Sequence, residues 1–261
     1  MTRYFSEIWR LRYFWLALVR IDLKKRYRHS IIGIGWSLLH PIAMTAVLCV
    51  VFSQLLKQDM RSYGPFLLSG LTFWGFVTAV VMQGCHCFFQ GESYIRQHPA
   101  PLAIYPLRTT LGAGFHFLLG FAIAVVFVWC AAGFGNLLTL PCLLPTFVLL
   151  FIFGWSLAVC MGVANVLFQD SQHLIEVAMQ VLFYATPIMI RPEFFLQRRL
   201  VSWFVRLNPL AAFLELIRQP LLEGQLPSRW AIGMASLGTL LAVAAAGLAL
   251  KRFEKRMIFY L

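Results

Sequence analysis

Residues 109–169 read TTLGAGFHFLLGFAIAVVFVWCAAGFGNLLTLPCLLPTFVLLFIFGWSLAVCMGVANVLFQ, 61 consecutive positions without an Asp, Glu, Lys or Arg. As a single helix that run would be about 92 Å long, three times the hydrocarbon thickness of a bilayer. It must fold back on itself. Gly133, Gly135, Asn136, Pro141 and Pro145 supply the break and divide the run into spans near 109–132 and 144–168.

Outward from this pair, Ile31–Leu56 is 26 residues without a charge and Ser62–Gly91 is 30, each enough for a span of about 20 apolar residues. A fifth span runs from Ser171 to Ile190 with Glu176 near its start, and a sixth from Trp230 to Leu250. The pattern predicts an all-α integral membrane protein of six transmembrane helices with both termini on one side. The composition agrees: 60% of the 261 residues are hydrophobic and 12% charged, against about 25% charged in a soluble domain. A soluble globular enzyme, a disordered tail and a disulfide scaffold are excluded. The six cysteines lie in or beside apolar runs with no CxxC pair and read as small buried hydrophobes.

A net charge of +12 raises nucleic acid as a partner, but the cations cluster at the chain ends and in one loop, as membrane topology requires. Residues 1–30 hold Arg3, Arg10, Arg12, Arg20, Lys24, Lys25, Arg26 and Arg28. Lys251, Arg252, Lys255 and Arg256 follow the last span, and Arg96 and Arg108 lie in the 90–108 loop. These 14 outnumber the two in 57–65 and six in 191–229, so both termini are expected in the cytoplasm. The first 30 residues lack an uninterrupted apolar core for a removable signal peptide. Residues 4–20 read instead as an amphipathic helix in the membrane interface, the alternative being the solvated start of a longer first span. Residues 191–229 are too charged to cross and too apolar for a free loop. Two short re-entrant helices broken at Asn208-Pro209 fit them. The whole is one domain: 1–30 interface helix and basic strip, 31–250 six-span bundle, 251–261 cytoplasmic tail.

Catalytic motifs are sparse. No GxxxxGK[ST] occurs, so the chain has no P-loop, and HExxH is absent. Gly154-Trp155-Ser156, with His173 as a candidate base, lacks the full GxSxG elbow and reads as a small-residue helix contact. Cys85-His86-Cys87 diverge by about 100° per residue on a helix, so no metal is expected; His86 and His116 read as polar contacts between helices. Asp170 stands just before the fifth span, as a helix cap, a functional contact, or both. Rings are dense within the spans, among them Phe73, Trp74, Phe183 and Tyr184. Sugars present apolar C–H faces that stack on rings, so an aromatic-lined pore suits a glycan; for each single ring, packing or lipid contact is the competing reading.

Three segments then carry a resemblance. Arg20-Ile-Asp22-Leu-Lys-Lys-Arg26-Tyr27-Arg28-His-Ser30-Ile-Ile-Gly33-Ile-Gly-Trp36-Ser-Leu-Leu-His-Pro41 is similar to the entry to the first span in permeases of polysaccharide ABC exporters. These are the O-antigen and teichoic-acid export subunits of the type-2 ABC superfamily. Phe168-Gln169-Asp170 leading to Phe183-Tyr-Ala-Thr-Pro187-Ile resembles their fifth span, and Asn208-Pro209 followed by Arg218 resembles their short helices before the last span. Ile21, Ile32 and Gln169 depart from the usual pattern. The resemblance implies a permease half that pairs with a second copy of itself and with two copies of a separate ATPase, which binds ATP and Mg; this chain would hold no cofactor. It implies an undecaprenyl-diphosphate-linked glycan as cargo. Ring density in the first, second and fifth spans makes Trp36, at the membrane entry of the matched segment, the leading channel-lining ring ahead of Phe73, Trp74, Phe183 and Tyr184. Glu92, Arg96, Pro99 and Pro101, with Asp170, are the expected ATPase-coupling residues. Lys24, Lys25, Arg26 and Arg28 are placed to meet lipid phosphates or simply to fix topology. A drug- or lipid-exporting permease and an intramembrane enzyme are the other readings.

Overall fold

The computed structural model describes residues 2–28, 33–56, 59–97, 100–133, 139–191, 199–254 and 256–260, and these are helical with no strand among them. Among the described residues ten α-helices follow one another: α1 Thr2–Arg10, α2 Arg12–Tyr27, α3 Trp36–Leu56, α4 Met60–Gln97, α5 Ile104–Ala132, α6 Leu143–Leu167, α7 Ser171–Ala185, α8 Arg199–Leu207, α9 Pro209–Arg218 and α10 Arg229–Phe253. Five of them, α3, α4, α5, α6 and α10, are long and apolar enough to cross a membrane. The sixth expected span, 171–190, forms only the 15-residue α7 and then leaves the helix at Thr186, just before Pro187, whose ring cannot continue it.

Two other expectations are revised. The interface helix over 4–20 is two helices with a break at Leu11, where the Trp15 indole N–H donates to the Ile8 carbonyl across the bend (3.1 Å). Its second part, α2, runs beside the start of α5, joined to it by the Asp22–Arg108 ion pair. The 90–108 segment is mostly helix, because charge ends the apolar run without ending the helix; α4 continues to Gln97, helped by a Glu92–Arg96 pair at i,i+4 (2.8 Å). At 38 residues α4 is about 57 Å long and outreaches any hydrocarbon layer.

The centre of the bundle is α4 against α5 and α6, with α10 packed on α6. The α4–α6 crossing is set by small residues. A Cβ on Gly84 would lie 2.8 Å from the Ala158 Cα, and one on Gly162 would lie 2.9 Å from the Gly84 carbonyl oxygen. Only bare backbone lets these helices approach so closely, and Asn165 Nδ2 secures the contact by donating to the Cys85 carbonyl (2.9 Å). Ser156, of the GxS reading, donates to Ile152 in its own helix (2.8 Å), and His173 is exposed. The core around this crossing is rich in phenylalanine, with Phe73, Phe76, Phe117, Phe153 and Phe213 buried together.

The expected break at Asn208-Pro209 starts α9: the Asn208 side chain accepts from the Leu210 N–H (2.9 Å), and Pro209 needs no N–H partner in the first turn. Ser228 caps α10 likewise, accepting from Ala231 (3.1 Å). The two chain ends meet. The Tyr4 hydroxyl donates to Glu254 Oε1 (2.9 Å), and the same carboxylate oxygen accepts from the Leu102 N–H (3.2 Å). Their meeting marks the terminal face of the bundle, and the opposite end is the far face.

Candidate functional site

α7 covers little of itself: among its described side chains only Met179 is buried. It leans on α4 and leaves a cleft of about 330 Å³ between them. On α4 the wall is Trp74, Thr78 and Met82, a stripe at helical spacing; on α7 it is Glu176, Met179, Gln180, Phe183 and Tyr184. Three of the five expected lining rings thus come together. Trp74 and Phe183 have centroids 5.5 Å apart, and Phe183 and Tyr184 5.3 Å. Tyr184 is 77% exposed. Phe73 is elsewhere: its ring points into the bundle core with no exposed surface, because it lies one residue, or about 100° of helix, from Trp74. Trp36 stands apart from the cleft at the first turn of α3, 55% exposed.

A second cavity, of about 910 Å³, opens where α2 hands over to α3. Lys24, Lys25 and Arg28 line it together with Tyr27, Ile21, Ile34 and Phe115, so cationic tips stand over an apolar wall. Arg26 is exposed beside them. Two polar ties hold the backbone here. Arg108, itself buried, donates through Nε and Nη2 to both carboxylate oxygens of Asp22. The Tyr27 hydroxyl, Ser37 Oγ and His116 Nδ1 form a triangle of 2.6, 2.9 and 3.1 Å joining α2, α3 and α5. His116 is therefore the interhelical contact its position suggested. An apolar wall with Lys and Arg above it suits a lipid whose headgroup is a phosphate.

The expected coupling residues divide. Glu92 and Arg96 lie at the terminal face on the last turns of α4, the Arg96 side chain 52% exposed. Pro101 is buried with Leu102, Ala103 and Ile104, beneath Tyr4, Ile8 and Trp15. Pro99 falls outside the described residues. Asp170 is exposed and its side chain makes no capping bond. Burial, with the Glu254 charge adding, raises the pKa of the Tyr4 phenol and keeps it a donor in the clamp on this connection.

One feature was not legible as a site. Arg218, 6% exposed, ends α9 inside the bundle with no acidic partner among the described residues. It donates to the carbonyls of Pro187 (2.6 Å), Ile188 (2.8 Å) and Phe66 (3.1 Å), which include the carbonyls freed where α7 ends. Gly70 makes room for it, since a Cβ there would lie 2.4 Å from Nη2. Beyond it, Tyr63 donates to Met189 (2.9 Å) and Arg191 to Ser62 (3.2 Å), so the chain after α7 reaches the first turn of α4 at the far face. Thr78, Met82 and Gln180 were missed as cleft residues; the i,i+4 spacing of Glu176 and Gln180 was the available signal.

Long apolar helices and basic termini sharing one face define a multi-pass membrane protein. The chain belongs to the ABC-2 type transporter family, whose model matches residues 13–222. It is 24% identical over 259 residues, 98% of this chain and 97% of the relative, to an O-antigen export system permease protein RfbA of Myxococcus xanthus. A protein of the same name from Klebsiella pneumoniae is 24% identical over 212 residues, 81% of each chain. The polysialic acid transport protein KpsM of Escherichia coli is 21% identical over 238 residues, 90% and 91% of the two chains.

Proposed function

We propose that this chain is the membrane-spanning permease subunit of an ABC exporter for a lipid-linked surface polysaccharide in the bacterial inner membrane. The observation that carries the reading is similarity along almost the whole chain to permeases named for O-antigen export. A drug- or lipid-exporting role has no such support. Two copies form the channel, and two copies of a separate ATPase bind ATP and Mg and drive it. The absence of a P-loop motif from the sequence agrees with a partner that supplies the nucleotide site.

The bundle crosses six times. Tyr4 and Glu254 meet at one face, which calls for an even number of crossings, and five helices have the length. The sixth crossing is α7 with residues 186–191: it starts beside Ala164, at the end of α6 (Ser171 Oγ to the Ala164 carbonyl, 3.3 Å), and ends beside Ser62. Its non-helical end is covered by protein, as depth in a membrane demands, and α8 and α9 re-enter from the far face. The cation excess supports a cytoplasmic terminal face. There Glu92 and Arg96 meet the ATPase with Asp170 nearby, the 100–103 connection acting from beneath α1. Lys24, Lys25, Arg26 and Arg28 hold the lipid diphosphate at the entry cavity, and Trp36, Trp74, Phe183 and Tyr184 give sliding contacts to sugar faces.

The test is a deletion strain complemented with this gene, scored for surface polysaccharide, together with ATP turnover by the purified chain with and without its partner. Loss of surface glycan on deletion and turnover only in the complex are expected. Normal surface glycan in the deletion strain overturns the reading.

A further inference from the structure

The cleft between α4 and α7 carries hydrogen-bonding groups as well as rings. Glu176 and Gln180 sit one turn apart on α7, beyond its polar first turn of Ser171, Gln172 and His173, and both line the cleft rather than the flank marked by the exposed Leu174, Val177 and Val181. Neither makes a hydrogen bond or ion pair with a described residue. The hydroxyl of Thr78, across from them on α4, is buried without a described partner. A carboxyl and an amide at this depth are costly against lipid and persist where they meet water, protein or a polar ligand. Ring faces at one end and an acceptor pair along the wall match a pyranose, whose C–H face stacks while its hydroxyls donate outward.

We propose that this cleft is a subsite for a neutral sugar unit of the transported glycan, in which Glu176 and Gln180 hold vicinal hydroxyls and Glu176 turns away anionic sugars. The proposal rests on the polysaccharide-export reading and deepens it. Glu176 accepts two hydroxyls, Gln180 accepts one and donates another, and Trp74 and Phe183 form the stacking floor. A carboxylate facing the passage repels carboxylated or phosphorylated units by like charge. A cationic amphiphile would use the rings and the carboxylate but not the neutral groups of Gln180 and Thr78, and on that ground the sugar is preferred.

Saturation-transfer NMR on the full chain with its ATPase in lipid nanodiscs tests this, with maltoheptaose, a sialic acid oligomer and tetraphenylphosphonium as probes. Maltoheptaose should receive transfer from the unmodified complex and the sialic acid oligomer should not. Transfer to maltoheptaose should fall by about fivefold or more in the Glu176→Ala/Gln180→Ala double variant, the loss expected for one or two hydrogen bonds. Glu176→Gln should keep maltoheptaose and admit the sialic acid oligomer. No transfer to maltoheptaose, transfer to tetraphenylphosphonium but not to maltoheptaose, or unchanged transfer in the double variant overturns the subsite. Both side chains are exposed in the cleft, so the fold survives their loss. The deletion strain separates the two ideas: lost surface glycan with an empty cleft keeps the export reading and removes the subsite, whereas retained glycan removes the export reading whatever the cleft binds.

Discussion

The guanidinium of Arg218 lies 3.6 Å from the centre of the Phe66 ring while Nη2 donates to the carbonyl of that same residue (3.1 Å). One cation thus meets both the face of a ring and the backbone beneath it. With the bonds to Pro187 and Ile188 it fastens the end of α7 to α4, and no carboxylate is within ion-pair distance among the described residues. The carbonyls replace water around the charge, so the site tolerates the cation only while the whole set is in place.

Arg218→Met should therefore lower stability by about 2–4 kcal/mol, because the freed carbonyls are left in an apolar interior. Arg218→Lys should recover little, since a point ammonium lacks the planar fork that reaches three carbonyls. Gly70→Ala should act on the same contact, its Cβ falling 2.4 Å from Nη2. Thermal unfolding in detergent should show the Gly70→Ala/Arg218→Met pair losing less than the sum of the two single changes, with a remainder from the approach of that Cβ to the Ile188 carbonyl oxygen (2.9 Å). Full additivity would separate the two residues.

The α4–α6 crossing makes a second prediction. Gly84→Leu should cost about 1–3 kcal/mol or block assembly, because a side chain cannot enter where the Ala158 Cα is already 2.8 Å from a Cβ position. Gly75→Ala on the same helix, with nothing within 4 Å, should be close to neutral. Equal melting temperatures for the two variants would contradict the close crossing.

Five of the spans were legible because charge is nearly absent from them, and Asn208-Pro209 marked a helix boundary by local chemistry. Helix ends beyond the apolar runs were not. Glu92 and Arg96 read as loop, yet they pair across one helical turn and prolong α4. Composition also could not separate Phe73 from Trp74: neighbours on a helix diverge by about 100°, and which one meets the core is decided by α5 and α6. Asp22–Arg108, 86 residues apart, left no periodic trace. The cleft needed α4 and α7 side by side, a pairing that sequence spacing does not encode.

Topology has its own test at Arg96. With the six native cysteines replaced, Arg96→Cys should resist an impermeant thiol reagent added outside intact cells and react in inverted vesicles, since the position is half exposed at the terminal face. Adding the ATPase should slow the reaction in vesicles. Labelling from outside intact cells would place the terminal face outside and overturn the orientation.

The rings make the last prediction, through the contrast between Trp36 and Phe73. Trp36 is 55% exposed and Phe73 is wholly buried, so the same change to Ala should have different consequences. Phe73→Ala opens a cavity in the core and should lower stability by about 3–5 kcal/mol, with export falling as assembled protein falls. Trp36→Ala removes surface rather than core and should leave the melting temperature and ATPase assembly near those of the unmodified protein. Stacking on a ring is worth about 0.5–1.5 kcal/mol beyond area burial, so losing one contact should slow export per assembled complex by roughly two- to twelvefold. Tyr184→Ala, also exposed, should behave like Trp36→Ala. The decisive quantity is surface glycan formed per complex, normalised to assembled protein. If Trp36→Ala and Tyr184→Ala complexes export at the unmodified rate, these rings face lipid or the second copy rather than the glycan.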